Sequence, residues 1–237
     1  MLFEGTSSPG RSDCEGRIKN PYYDEWKKVE NEATRLDRAY GHCSSALFDL
    51  TLSEEEQALY LEELRGINAW VEQYTQKYSW AIPNDDALVE VAKFTPLIEI
   101  GAGTGYWAWL LRQLEVDILA FDKNPPGHPL KSRYHPTAVT WTEVLSGDES
   151  VLDSIDNRTL FLCWPPSNHP MAFNTLSRFR GSTFLFVGET WPSCATGNED
   201  FFRLLDHDWA LEGDCSKVWV PHWPGRNDFL WVYRRNV

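Results

Sequence analysis

The chain predicts an α/β fold: a mainly parallel sheet closed by an antiparallel hairpin, with a helical extension in front of it. Three observations carry this. From Pro83 onward short apolar runs alternate with segments of helical period, which requires crossover connections between parallel strands. A glycine-rich turn, Gly101-Ala102-Gly103-Thr104-Gly105, stands where one apolar run hands over to a helix. The last two apolar runs, Lys217 to Val220 and Phe229 to Tyr233, are separated by the turn Pro221-His222-Trp223-Pro224-Gly225 and must therefore pair antiparallel.

In chain order, Asn20-Pro21 reads as a helix cap followed by Pro at the first helical position. Tyr22, Trp26, Val29, Ala33, Leu36 and Tyr40 then draw one apolar stripe that Gly41 is expected to stop. Ser53 with Glu56 is a capping box, and Tyr60, Leu64, Ile67, Val71, Tyr74 and Tyr78 form the next stripe. The pair reads as an α-hairpin packing on the main domain, with a partner-binding or lid role as the alternative. Asn84 or Asp85 caps a helix through Phe94. Leu97 to Ile100 is a strand, Trp107 to Leu114 a helix, and Asp117 to Phe121 a strand closed by Asp122. Ala138 to Trp141 is a weaker third strand, followed by a short helix over Glu149 to Ile155. Thr159 to Cys163 and Thr183 to Val187 are buried strands, and Met171 to Phe179 and Glu199 to Leu205 are helices. Residues 1–19 read as a flexible polar tail, 20–82 as the helical extension and 83–237 as the main domain.

Composition narrows the function classes. The 237 residues include 12 Trp, 12 Phe and 9 Tyr, ample surface for a core. Nothing resembles a bilayer span or a signal peptide, so the expectation is an intracellular, cytoplasmic protein. With 22 basic and 35 acidic residues the net charge is −13, which disfavours unaided tight binding to long nucleic acid. Cys14, Cys43, Cys163, Cys194 and Cys215 form no CxxC pair and lie at no metal-ligand spacing from histidine, so they read as free thiols. HExxH, GxSxG and the Walker loop are absent.

The informative segment is Glu99-Ile100-Gly101-Ala102-Gly103-Thr104-Gly105-Tyr106-Trp107. Glycine lets the backbone turn sharply and approach a ligand, and nucleotide-like cofactors lie over such turns at the C-terminal edge of a parallel sheet. Asp122 ends the next strand, where ribose hydroxyls need an acceptor. Tyr106 stands where a dinucleotide fingerprint requires glycine. Glu99 would repel a pyrophosphate but attract a ligand bearing an ammonium and a sulfonium. The electrostatics favour S-adenosylmethionine, provided that Glu99 stands as an anion in a pocket at the lip of the sheet.

These residues resemble the first motif of class I S-adenosylmethionine-dependent methyltransferases, and the resemblance extends over roughly residues 80–237. Trp80-Ala81-Ile82-Pro83, the glycine turn and Cys163-Trp164-Pro165-Pro166 also resemble small methyltransferase-like proteins. The resemblance implies a Rossmann-like sheet, with Glu99, Gly101, Gly103 and Gly105 around the methionine part and Trp80 also among the cofactor-binding residues. It places Asp122 on the ribose and Glu143 near the adenine, and it calls for no metal.

Cys163-Trp164-Pro165-Pro166-Ser167 partly resembles the Pro-Pro motif of methyltransferases acting on amino nitrogens. Trp164 stands at the polar position and Ser167 at the stacking one; neighbouring carbonyls, at Pro165 for example, remain free to face an amine. Glu189, after the fifth strand, projects toward the reactive end, either as an orienting group or general base or as a structural hydrogen-bond acceptor. His169 reads as a cap or a proton acceptor. Trp80, Tyr106, Trp107, Trp164 and Trp191 suit a flat, partly apolar acceptor. The expectation is methyl transfer to nitrogen or oxygen on a planar small molecule or a short macromolecular segment, with Glu189, Trp164 and Pro165 as catalytic candidates. The alternatives are a non-catalytic cofactor-binding partner subunit and an RNA or adenine N-methyltransferase.

Overall fold

The computed structural model describes residues 18–236 apart from 131, 133, 135, 137, 138, 191–194 and 214–216. The expected tail therefore lies outside the described residues up to residue 17. Ile18 packs against the core, and the Lys19 backbone exchanges hydrogen bonds with the Gln113 side chain.

Helix α1 (Pro21–Ala46) starts at Asn20, whose side chain accepts from the Tyr23 N–H. It runs past Gly41, where termination was expected. Glycine inside a helix costs only about 1 kcal/mol, and buried Cys43 continues the packed face. Helix α2 (Glu54–Thr75) opens with the complete Ser53/Glu56 capping box. It ends before Tyr78, which is buried instead in the following segment, stacked on Tyr22 at 4.5 Å.

The main domain carries α3 (Asp85–Ala92), capped by Asn84, then β1 (Leu97–Ile100), α4 (Tyr106–Gln113) and β2 (Ile118–Asp122). There follow β3 (Leu145–Ser146), a 3₁₀ helix (Glu149–Asp153), β4 (Thr159–Cys163), α5 (Met171–Arg178), β5 (Thr183–Gly188) and α6 (Glu199–Asp208). The chain closes with β6 (Trp209–Leu211), β7 (Lys217–Trp219) and β8 (Phe229–Arg235). The sheet order is β3-β2-β1-β4-β5-β8-β6, with β7 also paired to β8. The first five of these strands are parallel, and β8 is antiparallel to β5, β6 and β7. The expected Rossmann-like α/β class is what the chain adopts.

Two strand expectations need correction. The third strand is not Ala138 to Trp141 but Leu145–Ser146, and Ala138 lies outside the described residues. Trp141 is drawn out of the sheet: its N–H donates to the Thr104 carbonyl and its indole to the Lys77 carbonyl. Strand β6 was not anticipated, because it follows α6 directly without a turn signal. It lies end to end with β7 along the free edge of β8.

The layers place the site. Leu97, Ala120, Phe161, Leu185 and Leu230 face one side of the sheet, together with α3, α4 and the start of α1. Ile98, Ile100, Leu160 and Phe184 face the other, under the 3₁₀ helix, α5 and α6. The adjacent strands β1 and β4 thus send their following helices to opposite faces, which opens a crevice at their C-terminal ends.

The extension is locked to this crevice by buried polar contacts. The Tyr22 hydroxyl accepts from the Trp223 indole at 2.8 Å and donates to the Ser79 carbonyl at 3.0 Å. The Tyr106 hydroxyl donates to the Asn20 side chain at 2.9 Å and accepts from the Tyr22 N–H at 2.9 Å. Among the described residues no helix is long and apolar enough to cross a membrane. Removing the hydroxyl in Tyr22→Phe leaves a buried donor and a buried acceptor unmatched. The variant is expected to lose about 2–4 kcal/mol of stability, read as a lowered denaturant midpoint at unchanged slope.

Candidate functional site

At the C-terminal end of β1 the chain turns through three glycines with left-handed backbones, φ +81°, +55° and +76° at Gly101, Gly103 and Gly105. Side chains rarely adopt this region. Packing reinforces the requirement at two of them. A Cβ on Gly101 would lie 2.5 Å from the Met171 methyl, and one on Gly105 would lie 2.7 Å from Val144. Gly101 and Ala102 donate to the Phe121 carbonyl, which ties the turn to β2.

Asp122, at the end of β2, accepts from the Gly103 N–H at 2.9 Å through Oδ2 and from the Asn124 N–H at 2.9 Å through Oδ1. A carboxylate offers about four acceptor positions, so the side chain braces the turn and retains lone pairs for a hydroxyl donor. Asp122 and the glycine turn meet as expected.

Glu99 is placed differently from the expectation. It lies inside β1 below the turn, on the face shared with Leu97 and Phe161, and only 2% of its surface is exposed. Its Oε2 is buried with no hydrogen-bond partner. Burial pushes its pKa up to about 8, with Arg112 opposing and Asp122 reinforcing. In place of the expected open anion at the lip stands a buried carboxyl group whose desolvation favours the protonated form.

The second half of the site stands beyond β4, β5 and β8. Trp164 follows β4 with φ +53°, a strained value for a side-chain-bearing residue. Its N–H donates to the Val187 carbonyl at 2.8 Å, and its indole donates to Asp228 Oδ1 at 2.7 Å. Trp80 stacks on it at 5.3 Å with planes 13° apart, and the Arg226 guanidinium lies 5.6 Å from its ring centre. Trp80 thus joins the Trp164 wall.

Three further expected residues are engaged elsewhere. The Glu189 carboxylate is buried and accepts from two backbone N–H groups, Asn227 at 2.7 Å and Ala195 at 3.2 Å. The Pro165 carbonyl accepts from the Gly197 N–H at 3.1 Å, so it does not face the crevice unpaired. Glu143 has an exposed side chain, and the contacts to the turn from that segment come from Thr142 and Val144. His169 precedes α5, whose N-cap is Pro170, and accepts from the Met171 N–H at 3.2 Å. Tyr106 and Trp107 are core residues, and Trp191 lies outside the described residues.

Asp228 was not singled out from the sequence. It is 1% exposed, and burial raises its pKa to about 7, with the Trp164 indole and Arg226 opposing and Glu189 adding to the rise. Asn227-Asp228 before a strand looks like ordinary turn chemistry, so no local pattern marks it. The Cys163 thiol is also pushed up, first by burial and then by Glu99 and Asp228. Among the described residues no group of three or more His, Cys, Asp or Glu is arranged to hold a metal. A cavity of about 450 Å³ beside Pro96, Arg158, Arg180 and Thr183 lies at the opposite, N-terminal edge of the strands. It is remote from the crevice where α/β sheets bind ligands.

No protein-family model and no curated protein matches the chain. Solved structures resemble it in fold. A variant of MtNAS in complex with S-adenosylmethionine is 16% identical over 90% of this chain and 98% of that one, with a TM-score of 0.46. TehB from Haemophilus influenzae is 14% identical over 70% and 67%, with a TM-score of 0.40. N,N-8-amino-8-demethyl-D-riboflavin dimethyltransferase (RosA) from Streptomyces davawensis is 15% identical over 84% and 69%, with a TM-score of 0.41. Likeness at this level assigns no ligand and no reaction.

The raised carboxyl pKa values have a sign. The folded protein holds protons at Glu99 and Asp228 that the unfolded chain would release, so stability falls as pH rises from about 4.5 toward about 8. Glu99→Gln removes the larger share of this slope. Between pH 5.5 and 8 the melting temperature of the parent is expected to drop more steeply than that of the variant. The corresponding difference in unfolding free energy should be on the order of 2–4 kcal/mol.

Proposed function

We propose that this chain binds S-adenosylmethionine at the crevice between β1 and β4 and transfers its methyl group to a nitrogen or oxygen acceptor. The open anion that the sequence argument required is absent, and what carries this reading in its place is the buried, unpartnered Glu99 Oε2 beneath three left-handed glycines. An orphaned buried carboxyl is costly unless a cation completes it. A dinucleotide would bring a pyrophosphate to that place, whereas S-adenosylmethionine brings an α-ammonium and no phosphate. The residues present fit such a ligand. Glu99 holds the ammonium, the turn admits the methionine backbone, and Asp122 has acceptor capacity for ribose hydroxyls.

When bound, the sulfonium supplies an electrophilic methyl group. The protein contributes alignment and exclusion of water. The stacked Trp80 and Trp164 offer a flat wall to a planar small molecule or a short segment of a macromolecule. A non-catalytic cofactor-binding partner is the second reading, favoured by the engagement of Glu189 and Pro165 with backbone groups. Transfer of labelled methyl to any fraction of a cell extract by the isolated protein counts against it.

Calorimetry tests the cofactor. S-adenosylmethionine is expected to bind and NAD is not. Capture of a cation by Glu99 should release a proton, so the observed heat near pH 7 should vary with the buffer's ionisation enthalpy. Glu99→Gln should weaken binding about 10–100-fold, the loss of one charge-assisted contact. Preference for NAD, or heat independent of buffer, overturns the reading.

A further inference from the structure

We propose that Asp228 is the acceptor-side carboxylate of this site, and that the acceptor is an amine carried on a flat, apolar body. The inference rests on the methyltransferase reading and deepens it by naming the group that receives the acceptor's proton.

The reason lies in which carboxylates are free. Glu189 and Asp228 stand side by side where β5 and β8 leave the sheet, next to the paired Gly188 and Phe229. Both are buried. Glu189 gives each oxygen to a backbone N–H, from Asn227 and Ala195, so its side chain pins the 189–195 segment to the start of β8. Asp228 gives Oδ1 to the Trp164 indole, and that is the one side-chain hydrogen bond it makes among the described residues. The indole N–H holds one oxygen and so fixes the direction of the other. Trp164 follows β4, the strand bordering the crevice, and its ring stacks on Trp80. Asp228 is thus tied through the Trp164 indole to the segment that leaves β4 at the crevice. On the turn side, Glu99 Oε2 is buried without a hydrogen-bond partner.

The charged and titratable groups facing Asp228 are Glu189, Arg226, Tyr22 and Cys163. Glu189 and burial favour a protonatable carboxyl, while Arg226 and the indole restrain it, and the outcome lies at about 7. That is suitable for taking a proton from an amine near neutral pH. In the transfer the acceptor nitrogen forms the new N–C bond, and the S–C bond breaks with its electron pair left on sulfur. The proton displaced from nitrogen passes to Asp228 and then to solvent.

Sinefungin tests this without knowledge of the acceptor. It is the S-adenosylhomocysteine analogue with an amine-bearing carbon in place of sulfur, so it sets a cation where the methyl group would stand. The parent protein is expected to bind sinefungin at least tenfold more tightly than S-adenosylhomocysteine. In Asp228→Asn that preference should fall about tenfold or more, with S-adenosylhomocysteine affinity kept within twofold. Trp164→Phe keeps a stacking ring but removes the N–H that orients Asp228; it should reduce the same preference and supplies the readout if Asp228→Asn does not fold. No preference in the parent, or a preference untouched by these variants, overturns the assignment of Asp228 while leaving the cofactor reading intact. Failure of S-adenosylhomocysteine to bind the parent overturns the cofactor reading and the inference with it.

Discussion

Desolvation of one carboxyl group governs this molecule. Glu99 sits within a strand whose other residues, Leu97, Ile98 and Ile100, are all buried and apolar. Removing its water raises its pKa to about 8, with Arg112 opposing the rise through its charge, and among the described residues no hydrogen-bond donor reaches Oε2. Evolution of a stable core alone would favour an apolar residue there. The carboxyl makes sense as half of a contact whose other half arrives from solution. The glycine turn above it is braced by Asp122, and in the proposed reading a ligand's backbone-like part comes close there.

A set of aromatic contacts beside the glycine turn joins the helical extension to the main domain. Tyr22, Tyr78, Tyr106, Trp141 and Trp223 form a continuous set of ring contacts, with Tyr22 against Tyr78, Tyr106 and Trp223. This set joins α1 to the glycine turn, since the Thr104 hydroxyl donates to the Tyr78 carbonyl. Ring contacts alone are non-directional. The hydroxyl and indole hydrogen bonds within the set fix one register for α1 on the sheet, and hence one shape for the roof of the crevice.

Much of this was legible in the residues, and the parts that were not have physical causes. The stripes of α1 and α2, their caps at Asn20 and Ser53, and strands β1, β2, β4 and β5 follow from periodicity, because long-range packing agrees with local preference there. Gly41 misled because tertiary packing overrides a penalty of about 1 kcal/mol. The third strand misled because Trp141 contributes more to the aromatic mantle than it would to an edge strand. At the site, glycine spacing marked the turn and strand order marked Asp122. The depth of Glu99 depended on register: one residue before the strand end means burial, not exposure. Asp228 had no signature, because its environment is assembled from four separate segments, at Trp164, Glu189, Arg226 and Tyr22.

The contrast between Glu189 and Asp228 shows how a sheet edge divides labour between identical functional groups. An antiparallel strand beside a parallel one brings two chain ends to the same level from opposite directions. The backbone N–H groups released as the ladder ends must find acceptors, and Glu189 supplies them for Asn227 and Ala195. Once it has done so, the neighbouring Asp228 need not. Its carboxyl is held at one oxygen by an indole rather than at both by the main chain. An indole carries no net charge. A structural acid closes the sheet; the acid beside it is thereby left able to change its protonation state.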